Sequence, residues 1–297
     1  MTAKPVDRVI TVFIYLLILL FTLFVFYPFF WCIVLSFNNG LDAQRGGIYF
    51  WPRQFTLENY LFVFSSPDIL TAAGNSLLRT AVGTVLGVFV TSIFAYAVSK
   101  RHLKFRRTYM TLGLITMYFS GGLIPYVLVI RMLGMYNNFL VYIIPNLFAM
   151  FNAIVFMTFF QALPPSLEES AKIDGANDFF IFRRIVVPLS TPVFATIALF
   201  LAVMHWNSWF DNLLFVREKS LQTLSYFLTK MINAQRFVDD MVTRMSRSMG
   251  VGSAVTGMTS TALMLATMVV TAFPIMVLYP FLQKHFAKGV LIGSIKG

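Results

Sequence analysis

Long apolar runs alternate with short charged ones along the 297 residues. A helix that crosses a bilayer needs about 20 predominantly apolar residues. Six segments are long enough: 10–37, 74–99, 108–130, 138–162, 186–210 and 258–282. Pro145 and Pro274 fall inside the fourth and sixth, where neighbouring helices of a bundle tolerate them. The pattern predicts an all-α membrane protein with six spanning helices. The first segment is uncharged from Val9 to Phe37, longer than the apolar core of a signal peptide. It also lacks a small-residue cleavage site, so a retained span is expected.

Composition supports a lipid solvent. The chain is 58% hydrophobic, with 33 Phe, 16 Met and only 12 acidic residues, too few polar groups to cover its apolar surface in water. The net charge of +11 flanks apolar segments rather than forming a stripe, so the partner expected is the bilayer and not a nucleic acid. KRHLKFRR (100–107) places five basic residues in one short loop. With Lys and Arg marking the cytoplasmic side, residues 1–8, 100–107, 163–187 and the tail from 283 face inward. Both termini are then cytoplasmic, and 38–73, 131–137 and 211–257 face outward. Arg79 counts only as a charge near the start of the second span. Cys32, the single cysteine, has no intrachain disulfide partner and reads as a small apolar packing residue.

Several kinds of chemistry find no support. His102, His205 and His285 form no HExxH or other metal-ligand spacing, and no glycine-rich phosphate loop is present. No carboxylate lies inside a span to relay protons. A membrane-embedded enzyme is therefore disfavoured, and nucleotide-driven work would need another subunit.

The most charged interruption is EESAKIDGAND (168–178), within LPPSLEESAKIDGANDFFIFRRIVVPLSTP. Pro164 and Pro165 end the preceding segment. Ser166 stands three residues before Glu169, the spacing of a capping box. Glu168 and Lys172 are four apart in the favourable order, and Leu167, Ala171 and Asp174 share a face. Gly175 supplies a left-handed stop. Asn177 can cap a second helix that carries Phe179, Phe182 and Val186 on one stripe, with Arg183 and Arg184 beside it. The residues predict a helix, a glycine turn and a helix, but an ordinary solvated loop accounts for the same charges.

This segment resembles the EAA motif of ABC importer membrane subunits, E-A-A-x-x-x-G followed by I-x-x-P-L. It reads here as Glu169-Ser170-Ala171, then Gly175, then Ile185-Val186-Val187-Pro188-Leu189, and it departs from the pattern at Ser170. YPFFWCIVLSFN (27–38), FSGGLIP (119–125), HWNSWFDNLLF (205–215) and the C-terminal stretch are similar to the smaller maltose-transporter-type permeases, particularly a complex-oligosaccharide branch. The resemblance implies a type I importer transmembrane domain in a bacterial cytoplasmic membrane. It implies a multi-pass permease for a sugar, an oligosaccharide by branch, working by alternating access. Glu169, Ser170, Ala171, Asp174 and Gly175 would dock an ATP-binding subunit. Partners implied are a second permease subunit in a heterodimer, two ATP-binding subunits holding ATP and magnesium, and an extracytoplasmic solute-binding protein that contacts 216–257. No cofactor is expected in this chain.

For the sugar itself, Trp206 and Trp209 stand three apart near the end of span five, with Asn207 and Asp211 beside them. Aromatic faces stack on sugar rings, and amides and carboxylates bond hydroxyls. An interfacial aromatic belt explains the tryptophans equally well. Tyr118 and Asn152 are further pathway candidates, for which interhelical hydrogen bonding is the alternative. Other readings kept are a permease for another polar solute, a membrane-embedded enzyme and a channel.

Overall fold

The computed structural model describes the backbone of residues 5–233 and 259–294, and the side chains of 10–233 and 259–277. Within these residues the regular structure is helical, apart from one isolated bridge between Asn38 and Phe55. Most of the loop 216–257 (residues 234–258) and the side chains of the tail from 283 lie outside the described residues.

Among the described residues, three helices are long and apolar enough to cross a membrane: Ile10–Ser36, Pro67–Ser99 and Ser260–Val277. The other three apolar segments are not straight rods. Arg106–Tyr118 and Leu123–Met132 meet at 116°, Phe139–Asn146 and Met150–Gln161 at 47°, and Asp178–Leu189 and Thr191–Asn207 at 85°. Counting each bent pair as one crossing gives up to six among the described residues. The expected continuous span over 108–130 is thus two helices. Gly122 takes φ +86°, outside the helical region, and donates its N–H to Ser120 Oγ at 3.2 Å. In the fifth segment the break falls at Ser190, between Pro188 and Pro192, both without a backbone donor.

The chain divides into two compact units. The first combines Met1–Pro67 with Leu228–Ala272. In it, nearly every side chain from Ile10 to Phe29 is exposed, as lipid-facing residues require. The following loop is folded on the end of that helix. Asn38 Nδ2 donates to Asp42 Oδ2 at 3.1 Å, and Arg53 Nε donates to both Asp42 oxygens at 3.0 Å. Asn59 Nδ2 reaches the carbonyls of Ser36 and Asn38 at 2.9 and 3.0 Å, and Phe37 stacks on Phe55 at 5.7 Å. Asp42 itself is buried.

The second unit, Asp68–Phe227 with Phe273–Gly297, holds two apolar clusters. Tyr96, Phe156, Phe160, Ile181, Phe182 and Ile197 belong to one, and Ile130, Val141, Tyr142 and Phe215 to the other. Helices Pro67–Ser99 and Thr191–Asn207 approach closely through two glycines four residues apart. A Cβ at Gly87 would stand 3.0 Å from Leu201 Cδ1, and one at Gly83 only 2.4 Å from His205 Nε2. Small residues at this spacing are the usual means of close helix contact in lipid, where no hydrophobic effect drives helices together.

Two outcomes follow from this packing. The His205 ring is fully buried and has nowhere to retreat, so Gly83→Ala is expected to cost about 1–3 kcal/mol of stability. Thermal unfolding in detergent would read this as a lowered midpoint, with His205→Ala restoring part of the loss. In the first unit, the hydrogen bond from Arg53 holds the Asp42 carboxyl below the ordinary aspartate value of 3.8. A lowered native pKa contributes stability that is complete above the unfolded value and lost as pH falls through the native one. Hydrogen exchange of residues 37–57, corrected for intrinsic rates, should therefore stay protected until the pH drops below 3.8. Arg53→Gln should bring that loss to higher pH.

Candidate functional site

The helix Pro165–Ile173 opens with Pro165 as its first helical residue. A proline is suited there because its missing N–H would have no helical partner and its φ is already helical. The expected capping box is not formed: the position before the helix is Pro164, and no side chain caps it. Ser166 is the second residue of the helix, two positions past the cap. The expected Glu168–Lys172 pair is also replaced. Glu168 binds Lys100 from the first short loop, and Lys172 pairs with Asp178 across the turn at 3.2 Å. The Lys100 ammonium also sits 4.0 Å from the centre of the Tyr96 ring. Lys172 and Asp178 are exposed, so their pair is worth about 1 kcal/mol or less. The Lys100–Glu168 pair is better shielded and ties the two loops together.

The C-terminus of this helix follows the glycine-stop geometry. Gly175 takes φ +80° and donates its N–H to Lys172 O at 3.0 Å, and Ala176 N–H reaches Ala171 O at 2.9 Å. This pattern satisfies two carbonyls that would otherwise lack partners. Both alanines also pack against the apolar cluster of the second unit. Glu169, Ser170, Asp174 and Gly175 are exposed, whereas Ala171 is half-buried toward its own bundle. The apolar Ile173 is 86% exposed among the described residues.

Asn177 caps the next helix, with its Oδ1 accepting Phe180 N–H at 2.8 Å. The stripe on that helix differs from the α-helical expectation. Ile181, Phe182 and Val186 are buried, while Phe179 is exposed. A π-helical turn follows over Phe182–Val186, in which Val187 N–H bonds Phe182 O, five residues back. The wider turn changes which residues share a face, and such turns occur frequently at functional sites. The arm Asp178–Leu189 then meets Thr191–Asn207 at 85°, with buried Ser190 at the elbow. A groove of about 580 Å³ opens along this arm, bounded by Thr84, Phe89, Phe179, Arg183 and Phe194.

The pathway candidates are only partly assembled. The helix ends at Asn207, and Ser208 is extended with ψ 122°. Trp206 and Trp209 therefore do not share a helical face: Trp206 is buried, and Trp209 is exposed on a separate turn. Trp209 meets Phe210 edge to face at 5.7 Å, and Asn207 is exposed beside them. Tyr118 is exposed just before the 116° bend, and Asn152 is buried in Met150–Gln161. Among the described residues no hydrogen bond is recorded between either of them and the 207–211 turn. Asp211 is engaged by Arg79, whose Nη1 donates to Asp211 Oδ1 and Ser208 O, each at 3.1 Å, while Nη2 binds Asp211 Oδ2.

Sequence reasoning missed that partner. The signal was available: Arg79 is a charge in an otherwise apolar segment, and such residues in membranes are paired or functional. Tyr142 was missed as well. Its ring centre lies 4.6 Å from the Arg79 guanidinium carbon, and its hydroxyl donates to Leu221 O at 2.9 Å.

No protein-family model matches the chain. Among characterised sequences it is 40% identical over 270 residues to protein LplC of Bacillus subtilis, covering 91% of this chain and 89% of that one. It is 38% identical over 291 residues to the polygalacturonan/rhamnogalacturonan transport system permease protein YtcP of the same organism, covering 98% and 99%. Among solved structures it matches a bacterial ABC transporter involved in import of the acidic polysaccharide alginate. The TM-score is 0.87 at 26% identity, over 96% of this chain and 99% of that one. With an all-helical fold of up to six crossings and relatives matched over nearly their whole length, the chain belongs to the carbohydrate ABC-transporter permease family, as a membrane-spanning permease subunit of a sugar importer.

Proposed function

We propose that this chain is one of two permease subunits in the cytoplasmic membrane, driven by a pair of ATP-binding subunits that carry ATP and magnesium. The hairpin Pro165–Leu189 is its lever. The observation that carries this reading is the contrast between the hairpin's two sides. Ala171, Ala176, Ile181, Phe182 and Val186 are seated in the bundle, and Lys100–Glu168 braces the first helix. The tip remains outside, with Glu169, Ser170, Asp174, Gly175 and the apolar Ile173 uncovered. A tip that is rigidly attached yet unpartnered transmits a push from a docked ATPase into the elbow at Ser190. Rigid-body movement of this kind is a common switching mode.

The solute in this reading is an oligosaccharide containing acidic sugars. Two relatives support that class by name, one a polygalacturonan/rhamnogalacturonan permease and one an alginate importer. Asn207, Trp209 and Phe210 form the extracytoplasmic mouth of its path, with aromatic faces for sugar rings and an amide for hydroxyls. An extracytoplasmic binding protein delivers the sugar, as in the solved alginate transporter bound to a pentasaccharide-loaded periplasmic protein.

Gly175 separates docking from folding. A Cβ there meets nothing within 4 Å among the described residues, so the first side-chain atom finds open space. The cost is the left-handed backbone, about 1–2 kcal/mol for most residues and less for Asn. Gly175→Trp should therefore reach the membrane in normal amount, but lose both sugar uptake and co-purification with the ATPase. Gly175→Asn should retain part of each. Normal uptake by Gly175→Trp would sink the lever.

A further inference from the structure

We propose that Arg79 is a positioning residue: it clamps Asp211 and thereby holds the Ser208–Asp211 turn, with Trp209 and Phe210, at the mouth of the path. This rests on the reading of that turn as the extracytoplasmic mouth.

The clamp is built from both ends. Arg79 is 1% exposed, and its guanidinium holds both Asp211 oxygens and the Ser208 carbonyl. Asp211 Oδ1 accepts in addition from Ser208 Oγ at 3.1 Å and from Asn212 N–H at 2.9 Å. One carboxylate therefore fixes the start, the end and the side chain of the turn that carries Trp209. Tyr142 covers the guanidinium from the other side. A second set of bonds ties the neighbouring strap to the same helix. Asn75 Nδ2 donates to Ser220 O and Gln222 O at 2.7 and 3.0 Å, and Ser76 Oγ accepts Leu224 N–H at 2.8 Å. Asn212 Oδ1 accepts Thr223 N–H at 2.7 Å.

Span two, the turn and the strap are consequently one block, and Arg79 is where span two grips the turn. Arg79 Nε and Asn212 Nδ2 lie buried beside the clamp with no protein hydrogen-bond partner among the described residues. Because one ion pair carries the grip, the turn can be fixed in one state of the transport cycle and move in another.

The test needs no knowledge of the sugar. In the complete transporter, in proteoliposomes of one orientation and on a Cys32→Ser background, Phe210→Cys is labelled with a membrane-impermeant maleimide. Labelling from each face is timed without nucleotide and after trapping with ATP and vanadate. The readout is the ratio of the two rates from the outer face, which does not depend on how much protein is present. With Arg79 intact the rates should differ between the two states. R79Q/D211N leaves no unpaired buried charge, so it guards against simple misfolding. It should speed labelling in the slower state at least about five-fold, bringing the ratio toward one. Arg79→Lys keeps the charge without the two-pronged contact and should fall between. Outer labelling with an unchanged ratio in R79Q/D211N would overturn the clamp and leave the mouth reading standing. Labelling only from the cytoplasmic face would overturn both.

Discussion

A backbone amide in hydrocarbon has no water to bond, so each must find its partner within its own segment or on a neighbouring one. The architecture of this chain depends on that constraint. It makes the apolar segments helical, and it makes every interruption of a helix a place where another group has to intervene. Ser120 supplies an acceptor at the sharpest bend. Asn177 does so at the start of the arm, and Asn138 at the turn before the fourth segment's main helix. The proline-flanked elbow at Ser190 removes donors rather than satisfying them, because Pro188 and Pro192 have no N–H to leave unpaired.

The two functional ends solve opposite problems with the same means. At the hairpin the chain needs stiffness behind an accessible tip, so its small and aromatic residues go inward and its charges stay out. The arm buries Ile181 with Phe182 and Val186 and leaves Phe179 on the groove. At the other end, on the proposed reading, the break in span five lies at the mouth of the solute path. The break exposes Trp209 and Phe210 and would be loose if the helix ends alone defined it. Charge supplies the definition that helical hydrogen bonding no longer can.

Much of this was legible in the sequence wherever the determining interaction was local. Apolar run length marked the crossings, and Gly175 and Asn177 announced a stop and a start that depend only on adjacent residues. Legibility failed where local rules offered two answers. Ser166 has the spacing of a capping box, but Pro165 is better suited to open the helix. Glu168 and Lys172 have the order of a helical pair, yet each finds another partner, Lys100 being 68 positions away. Trp206 and Trp209 keep their spacing only if the helix continues, and Ser208 ends it. The glycines at 83 and 87 carried a spacing signal for close packing, but nothing local named His205 and Leu201 as what they admit.

Asp211 shows how a site residue changes meaning between sequence and structure. Beside two tryptophans and an amide, a carboxylate looks like a hydroxyl acceptor for sugar. A carboxylate near the end of a span is costly unless it is neutralised, and an arginine inside a span cannot shed its proton to relieve its own cost. Each charge therefore requires the other, although they lie 132 positions apart. Removing one partner of a buried pair costs about 3–5 kcal/mol, far more than the intact pair contributes, because the remaining charge is stranded. Such a pair adds little to net stability and a great deal to definition: it permits one arrangement of the turn and penalises the rest. If the turn is the mouth of the path, as proposed, that matters more than stability, since such a mouth must occupy few states and change cleanly between them.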